Sequence, residues 1–309
     1  MIKLILGRIF QYIITLFCLG SVVFVLIRLK PGDPFLEDKA IPVHVKAMLE
    51  KNFGLDKSGP VQFINYWGNT LKGDLGPCLK IYQDYDVLDL IQLSFPISLF
   101  LGVLAMLYAL LVGIPIGIIA ALKKNSWIDY SSMVIAMLGV CVPAFVSGPI
   151  FQVCIAMNLP FVKVAGIEHL GDYIVPAIAL GLIPAAYIAR LTRGGMLEVL
   201  NLDYVRTAKA KGLPLGQIVF RHCLRGALMP VIGYLGPAFA AIITGSFVIE
   251  SVFQIPGMGQ FFIKGVTGNE IFIVQSLSLF YGVIIMAANL GSDLLQIWLN
   301  PQLRKDLVS

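Results

Sequence analysis

Residues 93–122 read LSFPISLFLGVLAMLYALLVGIPIGIIAAL, a run without Asp, Glu, Lys or Arg. A helix rising about 1.5 Å per residue crosses about 30 Å of hydrocarbon in roughly 20 residues, so this run is long enough to span a bilayer. It is continuously apolar, whereas the strands of a membrane barrel alternate. Further charge-free blocks run from Ile9 to Ile27, Tyr130 to Val162, Tyr173 to Ala189, Gly226 to Ile249 and Ile271 to Ser292. Two helices and a turn need more than about 40 residues, so the Tyr130–Val162 block is expected to be one long helix with an outward extension. The reading is an all-α membrane protein with six transmembrane helices.

The composition agrees. Of 309 residues, 58% are hydrophobic and 13% charged, and the mean hydropathy is +0.84. Soluble proteins carry about 25% charged residues, so a soluble enzyme is excluded.

Basic residues near span ends give the orientation. With the N-terminus inside, the inner segments hold Lys3 and Arg8, Lys123 and Lys124, the group from Arg190 to Arg225, and Arg304 and Lys305. The two short outer loops hold only Lys163 and Lys264. Both termini are therefore expected in the cytoplasm, and the first span is read as a retained signal anchor. Arg28 and Lys30 at its outer end are expected to snorkel to headgroups or pair with Asp33.

The expected segments are 1–29 (cytoplasmic start and first span), 30–92 (extracytoplasmic segment), 93–300 (five-helix core) and 301–309 (cytoplasmic tail). Within the core, spans are placed at about 95–121, 129–157, 173–191, 229–251 and 271–297, with a cytoplasmic loop at about 192–228. The outer segment is turn-rich, has a short helix from Val43 to Lys51, and carries aromatics at Phe53, Phe63, Tyr66, Trp67, Tyr82 and Tyr85. That aromatic content fits a small ordered cap. Whether the cap meets a soluble partner or only seals the outer face stays open at this point.

The five cysteines, Cys18, Cys78, Cys141, Cys154 and Cys223, form no CxxC pair and no zinc-like spacing. No G-x-x-x-x-G-K-[ST] phosphate loop occurs, so this chain has no nucleotide site of that kind. The middle of the spans lacks the carboxylates that a proton-driven carrier places there. Asp129, Glu250 and Asp293 lie at span ends, and His44, His169 and His222 in aqueous segments. A secondary transporter or channel is thereby disfavoured. A membrane-embedded enzyme lacks H-E-x-x-H or any Ser/His pair within a span. Pro115, Pro143, Pro149, Pro176, Pro184, Pro230 and Pro237 all interrupt apolar blocks. Each removes a backbone hydrogen bond, as in kinked helices that line pathways, although proline is also common in membrane helices generally.

In the inner loop, Val205, Ala208 and Gly212 share one helical face, with Arg206 and Lys209 beside it. Gly212-Leu213-Pro214 reads as a helix stop. Taken alone, the stretch reads more readily as a basic loop obeying the positive-inside rule. Asp203-Tyr-Val-Arg-Thr-Ala-Lys-Ala-Lys-Gly212, followed by Arg221-His-Cys-Leu-Arg225, resembles the EAA loop of ATP-binding-cassette (ABC) importer permeases. Ala208, Gly212 and Leu224 agree literally; Arg206 stands where the family has glutamate and Arg225 where it has proline. The chain as a whole is similar to the peptide and nickel branch of that family. The similarity runs through Arg28-Leu-Lys-Pro-Gly-Asp-Pro34, Phe53-Gly-Leu-Asp56, Gly73-Asp-Leu-Gly-Pro77, Ala189 to Leu200, Ile249-Glu-Ser-Val-Phe253 with Pro256-Gly-Met-Gly259, and Asn300-Pro301. Within the branch, Asp84 to Leu90, Gly236-Pro-Ala-Phe239 and Ile243-Thr-Gly-Ser246 most resemble the B subunits of oligopeptide permeases.

The resemblance implies a type I importer permease fold with a small extracytoplasmic cap, in a bacterial inner membrane. It implies a second homologous permease subunit, two cytoplasmic ABC ATPases that use ATP and Mg, an extracytoplasmic solute-binding protein, a peptide substrate and no nucleic acid. This chain itself would be no enzyme and would bind no cofactor or metal. Dipeptides, nickel, glutathione and haem are the alternative cargoes. Arg206, Thr207, Ala208, Lys209, Gly212, Leu213 and Leu224 are the expected ATPase-coupling residues, with Arg206, Ala208, Lys209 and Gly212 as the contact core. Glu250, Phe253, Pro256 and Gly257 are candidates for an outer gate. For Glu250 the more conservative reading is a structural hydrogen bond to the Pro256–Gly259 turn.

Overall fold

The computed structural model describes residues 2–30, 43–79, 82, 85–159 and 162–299. The Pro31–Pro34 turn, Asp33 as a partner for Arg28, Asp84, and the tail with Arg304 and Lys305 lie outside the described residues. Among those described, the chain is helical, with no strand beyond one bridge between Pro77 and Asp86. The helices are α1 (Ile2–Leu29), α2 (Val43–Asn52), α3 (Gly59–Leu71), α4 (Val87–Leu122), α5 (Trp127–Cys141), α6 (Ala144–Cys154) and α7 (Ile174–Val199). They continue with α8 (Asp203–Ala210), α9 (Leu215–Gln217), α10 (Leu224–Ala227), α11 (Met229–Val252), α12 (Met258–Gly268) and α13 (Ile271–Leu299).

Five stretches are long and apolar enough to cross a membrane unaided: Leu6–Leu29, Val87–Leu122, Leu170–Val199, Met229–Val252 and Ile271–Leu299. The sixth expected span is not the single long helix anticipated over 129–157. It is two helical pieces, Trp127–Cys141 and Ala144–Asn158, bent by 108°. The break has a local cause. Pro143 disfavours the helical region for the residue before it, and Val142 is extended at φ −87°, ψ 112°. Pro143 is extended in turn at ψ 149° and opens α6. Two successive extended residues turn the chain within an otherwise apolar run.

The chain forms two compact units that interleave along the sequence. The first comprises Met1–Arg8, Ser98–Ile255 and Ile284–Ser309; the second comprises Ile9–Ile97 and Pro256–Val283. Helices α1, α4 and α13 each contribute to both.

In the first unit α7 is the buried spine, packed by α5, α6, α10 and α11. Small residues permit this. A methyl group on Gly195 would collide with the carbonyl oxygen of Ala227, so only glycine lets α10 approach α7 as it does. One ion pair, its carboxylate buried and its guanidinium 27% exposed, fixes the start of α5 against α7. Arg193 donates from Nε to Asp129 Oδ1 at 2.5 Å and from Nη2 to Oδ2 at 2.7 Å. Asp129, 1% exposed, also accepts the Asn125 backbone N–H at 3.0 Å.

At the far end of the same unit, the loop before α7 closes on another buried carboxylate. Asp172 accepts backbone N–H bonds from Lys163, Glu168 and His169 at 2.7–2.8 Å. Gly166 N–H donates to the Phe253 carbonyl at 2.7 Å, which ties this loop to the end of α11. Arg8 pairs with Asp293 at 3.0 Å, joining the second turn of α1 to α13.

In the second unit α3 runs antiparallel along α1. Phe24 meets Phe63 edge-on at 5.2 Å, and Phe17 meets Trp67 at 5.0 Å. Arg28 lies over the Phe24 ring at 3.4 Å and donates to Gln62 Oε1. The charge at the end of the first span is therefore accommodated by an aromatic face and an amide. The stretch after α3 is stitched to the start of α13: Leu79 N–H donates to the Glu270 carboxylate at 2.8 Å, and Ser276 Oγ to the Leu75 carbonyl at 2.9 Å. Cys78 is buried there, and burial together with the negative charges of Glu270, Asp86 and Asp89 raises its thiol pKa to about 12.

Two outcomes are expected. Asp129→Asn leaves Arg193 facing a neutral partner and destabilises the first unit by about 3 kcal/mol, while Asp129→Leu with Arg193→Met recovers most of the loss. Thermal melts of the purified protein in detergent check this. With a pKa near 12, Cys78 holds only about one thiolate in ten thousand at pH 8, so alkylation there proceeds only after denaturation; peptide mapping after maleimide treatment is the measurement.

Candidate partner-coupling site

The link from α7 to α11 is built around α8. Asp203 in its first turn and Lys209 in its last suit the helix dipole. The helix ends as the sequence indicates. Gly212 adopts φ +76°, its N–H bonds to the Lys209 carbonyl at 3.0 Å, and the Leu213 N–H reaches the Ala208 carbonyl at 3.4 Å. This is the paired arrangement of a glycine-terminated helix, and Pro214 prevents continuation.

One face of α8 is turned into the protein. Val205 and Ala208 are buried with Ala121 of α4, Met196 and Val199 of α7, Ile218, Val219 and Cys223, and Ala227 of α10. Leu213 and Leu200 pack against the same cluster. Ala208, expected at the centre of the partner contact, is therefore part of the seat on which α8 rests. Its small side chain brings α8 close to its own core. Arg206, Thr207, Lys209 and Gly212 are exposed, and Leu213 and Leu224 are half-buried. Thr207 spends its hydroxyl on the Asp203 carbonyl at 2.9 Å. Arg206 approaches Asp203 at 3.6 Å, an exposed contact of little energetic weight.

Several surface residues escaped the sequence reading. Leu202, Tyr204, Leu215 and Phe220 are exposed, Phe220 at 71%. They flank the exposed cations Arg206, Lys209 and Lys211, and Phe220 adjoins the exposed Arg221. Large apolar side chains left open among positive charges mark a surface made to be covered. The available signal was their apolar character inside a basic loop. Residues Ile218–Cys223 form a π-helical turn, a distortion common at functional sites. Burial raises the Cys223 thiol pKa against a smaller pull from Lys209, and raises that of the Tyr204 phenol. Arg225, which stands where the family motif has proline, donates from Nε and Nη2 to the Leu299 carbonyl at 3.1 and 2.9 Å. It caps the C-terminus of α13.

The gate candidates are mostly interior. Glu250 is 0% and Phe253 1% exposed; Gly257 is buried and Pro256 exposed. The Glu250 carboxylate accepts from Ser98 Oγ at 2.7 Å and Ser246 Oγ at 2.8 Å. Its carbonyl accepts the Ile255 N–H at 2.8 Å, with Gln254 left-handed at φ 52°, so the chain reverses directly after α11.

Comparison with known proteins identifies the family. The family model for the binding-protein-dependent transport system inner membrane component matches residues 113–305. The oligopeptide transport system permease protein OppB of Salmonella typhimurium is 42% identical over 306 residues, covering 98% of this chain and all of the relative. The dipeptide transport system permease protein DppB of Bacillus subtilis is 37% identical over 304 residues, covering 98% of each. An inward-facing structure of the MetNI methionine ABC transporter shares the fold, with a TM-score of 0.61 at 14% identity over 69% of this chain and 97% of that one. This all-helical, multi-pass chain belongs to the binding-protein-dependent transport system inner membrane components.

Proposed function

We propose that this chain is the membrane-embedded permease subunit of an ATP-driven oligopeptide importer. It would form half of the translocation path, paired with a second, related permease subunit. Two cytoplasmic ABC ATPases would hydrolyse ATP with Mg, and an extracytoplasmic binding protein would deliver the peptide. Full-length similarity to a protein named as an oligopeptide permease supports the cargo class. The Bacillus relative named as a dipeptide permease supports shorter peptides as the second reading.

The observation that carries the coupling role is the two-sided character of α8. Its Val205–Ala208 side is locked into the core, while Arg206, Lys209 and Gly212 stand open beside exposed Tyr204, Leu215 and Phe220. A helix seated this way passes a push on its exposed side directly to α4, α7 and α10. In this reading α8 and both termini face the cytoplasm. Glu250 and Phe253 act at the outer end, where the bonds from Ser98 and Gly166 tie down the end of α11.

Gly212 offers the sharpest test. A side chain there meets open space, yet the backbone at φ +76° disfavours any L-residue by about 1–2 kcal/mol. Gly212→Ala is expected to insert and assemble with a small loss of transport. Gly212→Glu, which adds an acid to a cationic surface, is expected to lower peptide uptake per ATP hydrolysed about tenfold or more. Uptake and hydrolysis measured together in proteoliposomes decide it, and native coupling in Gly212→Glu contradicts the assignment.

A further inference from the structure

Arg190 lies on α7 directly after the charge-free run that ends at Ala189, nine positions before the helix ends at Val199. A cation at the end of a span ordinarily pairs with an acid or snorkels to the headgroups. Arg193, one turn on, is paired with Asp129. Arg190 is exposed and, among the described residues, has neither an ion pair nor a hydrogen bond. Its guanidinium sits 5.0 Å from the centre of the Tyr187 ring. That ring lies 5.7 Å from the ring of Tyr234 on α11.

The surroundings separate this face from one made for lipid. It continues along α7 to Gly194 and along α11 to Pro237 and Ala241, all exposed and all small or polar. The exposed side of α5 instead carries Ile128, Val134, Ile135 and Leu138, the bulky aliphatics that suit acyl chains. A stacked guanidinium keeps its N–H donors free at the rim, and two phenols beside it offer O–H donors. Five N–H donors in a planar fork match a carboxylate held by two parallel bonds.

We propose that Arg190, with Tyr187 and Tyr234, forms a station in the translocation path that receives the free C-terminal carboxylate of the passing peptide. The assignment rests on the peptide-importer reading above. The stack holds the guanidinium plane in place without neutralising it, so the charge stays available to an acid that arrives and leaves. A carboxylate lacking a second, opposing partner is released once the path opens at the other end.

The test uses the complete native complex with its binding protein and ATPases in liposomes. Uptake of one peptide with a free C-terminus is compared with uptake of its C-terminal amide, in native protein and in Arg190→Gln. Selection by the binding protein is the same in both and cancels in the ratio. A charge-assisted bidentate contact predicts that the preference for the free acid falls about tenfold in Arg190→Gln, while uptake of the amide is unchanged. Arg190→Lys, which keeps the charge but loses the fork, is expected to lose about threefold; if Arg190→Gln does not assemble, an unchanged preference in Arg190→Lys overturns the proposal. Equal slowing of both peptides also overturns it. So does an effect that follows the anionic lipid content of the liposomes instead of the peptide terminus, since the group bound would then be a lipid phosphate. A native, assembled complex that takes up neither peptide overturns the importer reading, and this station with it.

Discussion

Val205 and Ala208 must be buried, and the placement of the proposed coupling surface depends on that. An eight-residue helix has no independent stability in water, so α8 exists because its apolar side is held in the cluster of Ala121, Met196, Val199, Ile218, Val219, Cys223 and Ala227. The cluster draws on α4, α7, α10 and the π-helical turn at once. The exposed side of α8 is thereby referred to the membrane helices with little slack. Gly195 permits the close contact between α7 and α10 on which the cluster is built, and Arg193–Asp129 holds the start of the broken span to the same stretch of α7.

The two ends of the first unit are stabilised by different means. The α8 end is packed by an apolar cluster and closed by one bidentate ion pair on the buried Asp129 and by Arg225 capping α13. The opposite end is closed by hydrogen bonds to buried carboxylates: Asp172 gathers three backbone N–H groups, and Glu250 accepts two serine hydroxyls. Apolar packing transmits displacement with little loss because it is dense and incompressible. Hydrogen bonds to carboxylates are directional and can be exchanged for others. That division suits the proposed function, in which the subunit is pushed at one end and opens at the other.

Much of this was legible in the sequence. Charge-free blocks of span length stand out because a charge inside hydrocarbon is costly, and five of them are continuous long helices. The stop at Gly212 was legible because glycine, a neighbouring proline and a basic last turn act locally. What escaped was non-local. Pro143 was one proline among several in apolar blocks, and only its extended neighbour Val142 makes it a 108° break. Asp129 and Arg193 are 64 positions apart, so their pairing has no local signature. Ala208 was legible as a small residue made for close approach; whether to a partner or to the chain's own core is decided by α4, α7 and α10. Arg225 read as a departure from the family pattern until Leu299 placed a helix end within its reach.

In the proposed function α8 presents Arg206 and Lys209 to the ATPase while keeping Val205 and Ala208 against its own core. Single cysteines at adjacent positions test it directly in the assembled complex, through cross-linking to the ATPase with a short bifunctional reagent. Lys209→Cys and Arg206→Cys are predicted to give the cross-linked product, and Ala208→Cys and Val205→Cys to give none. Efficient cross-linking through position 208, with none through 209, would contradict the account.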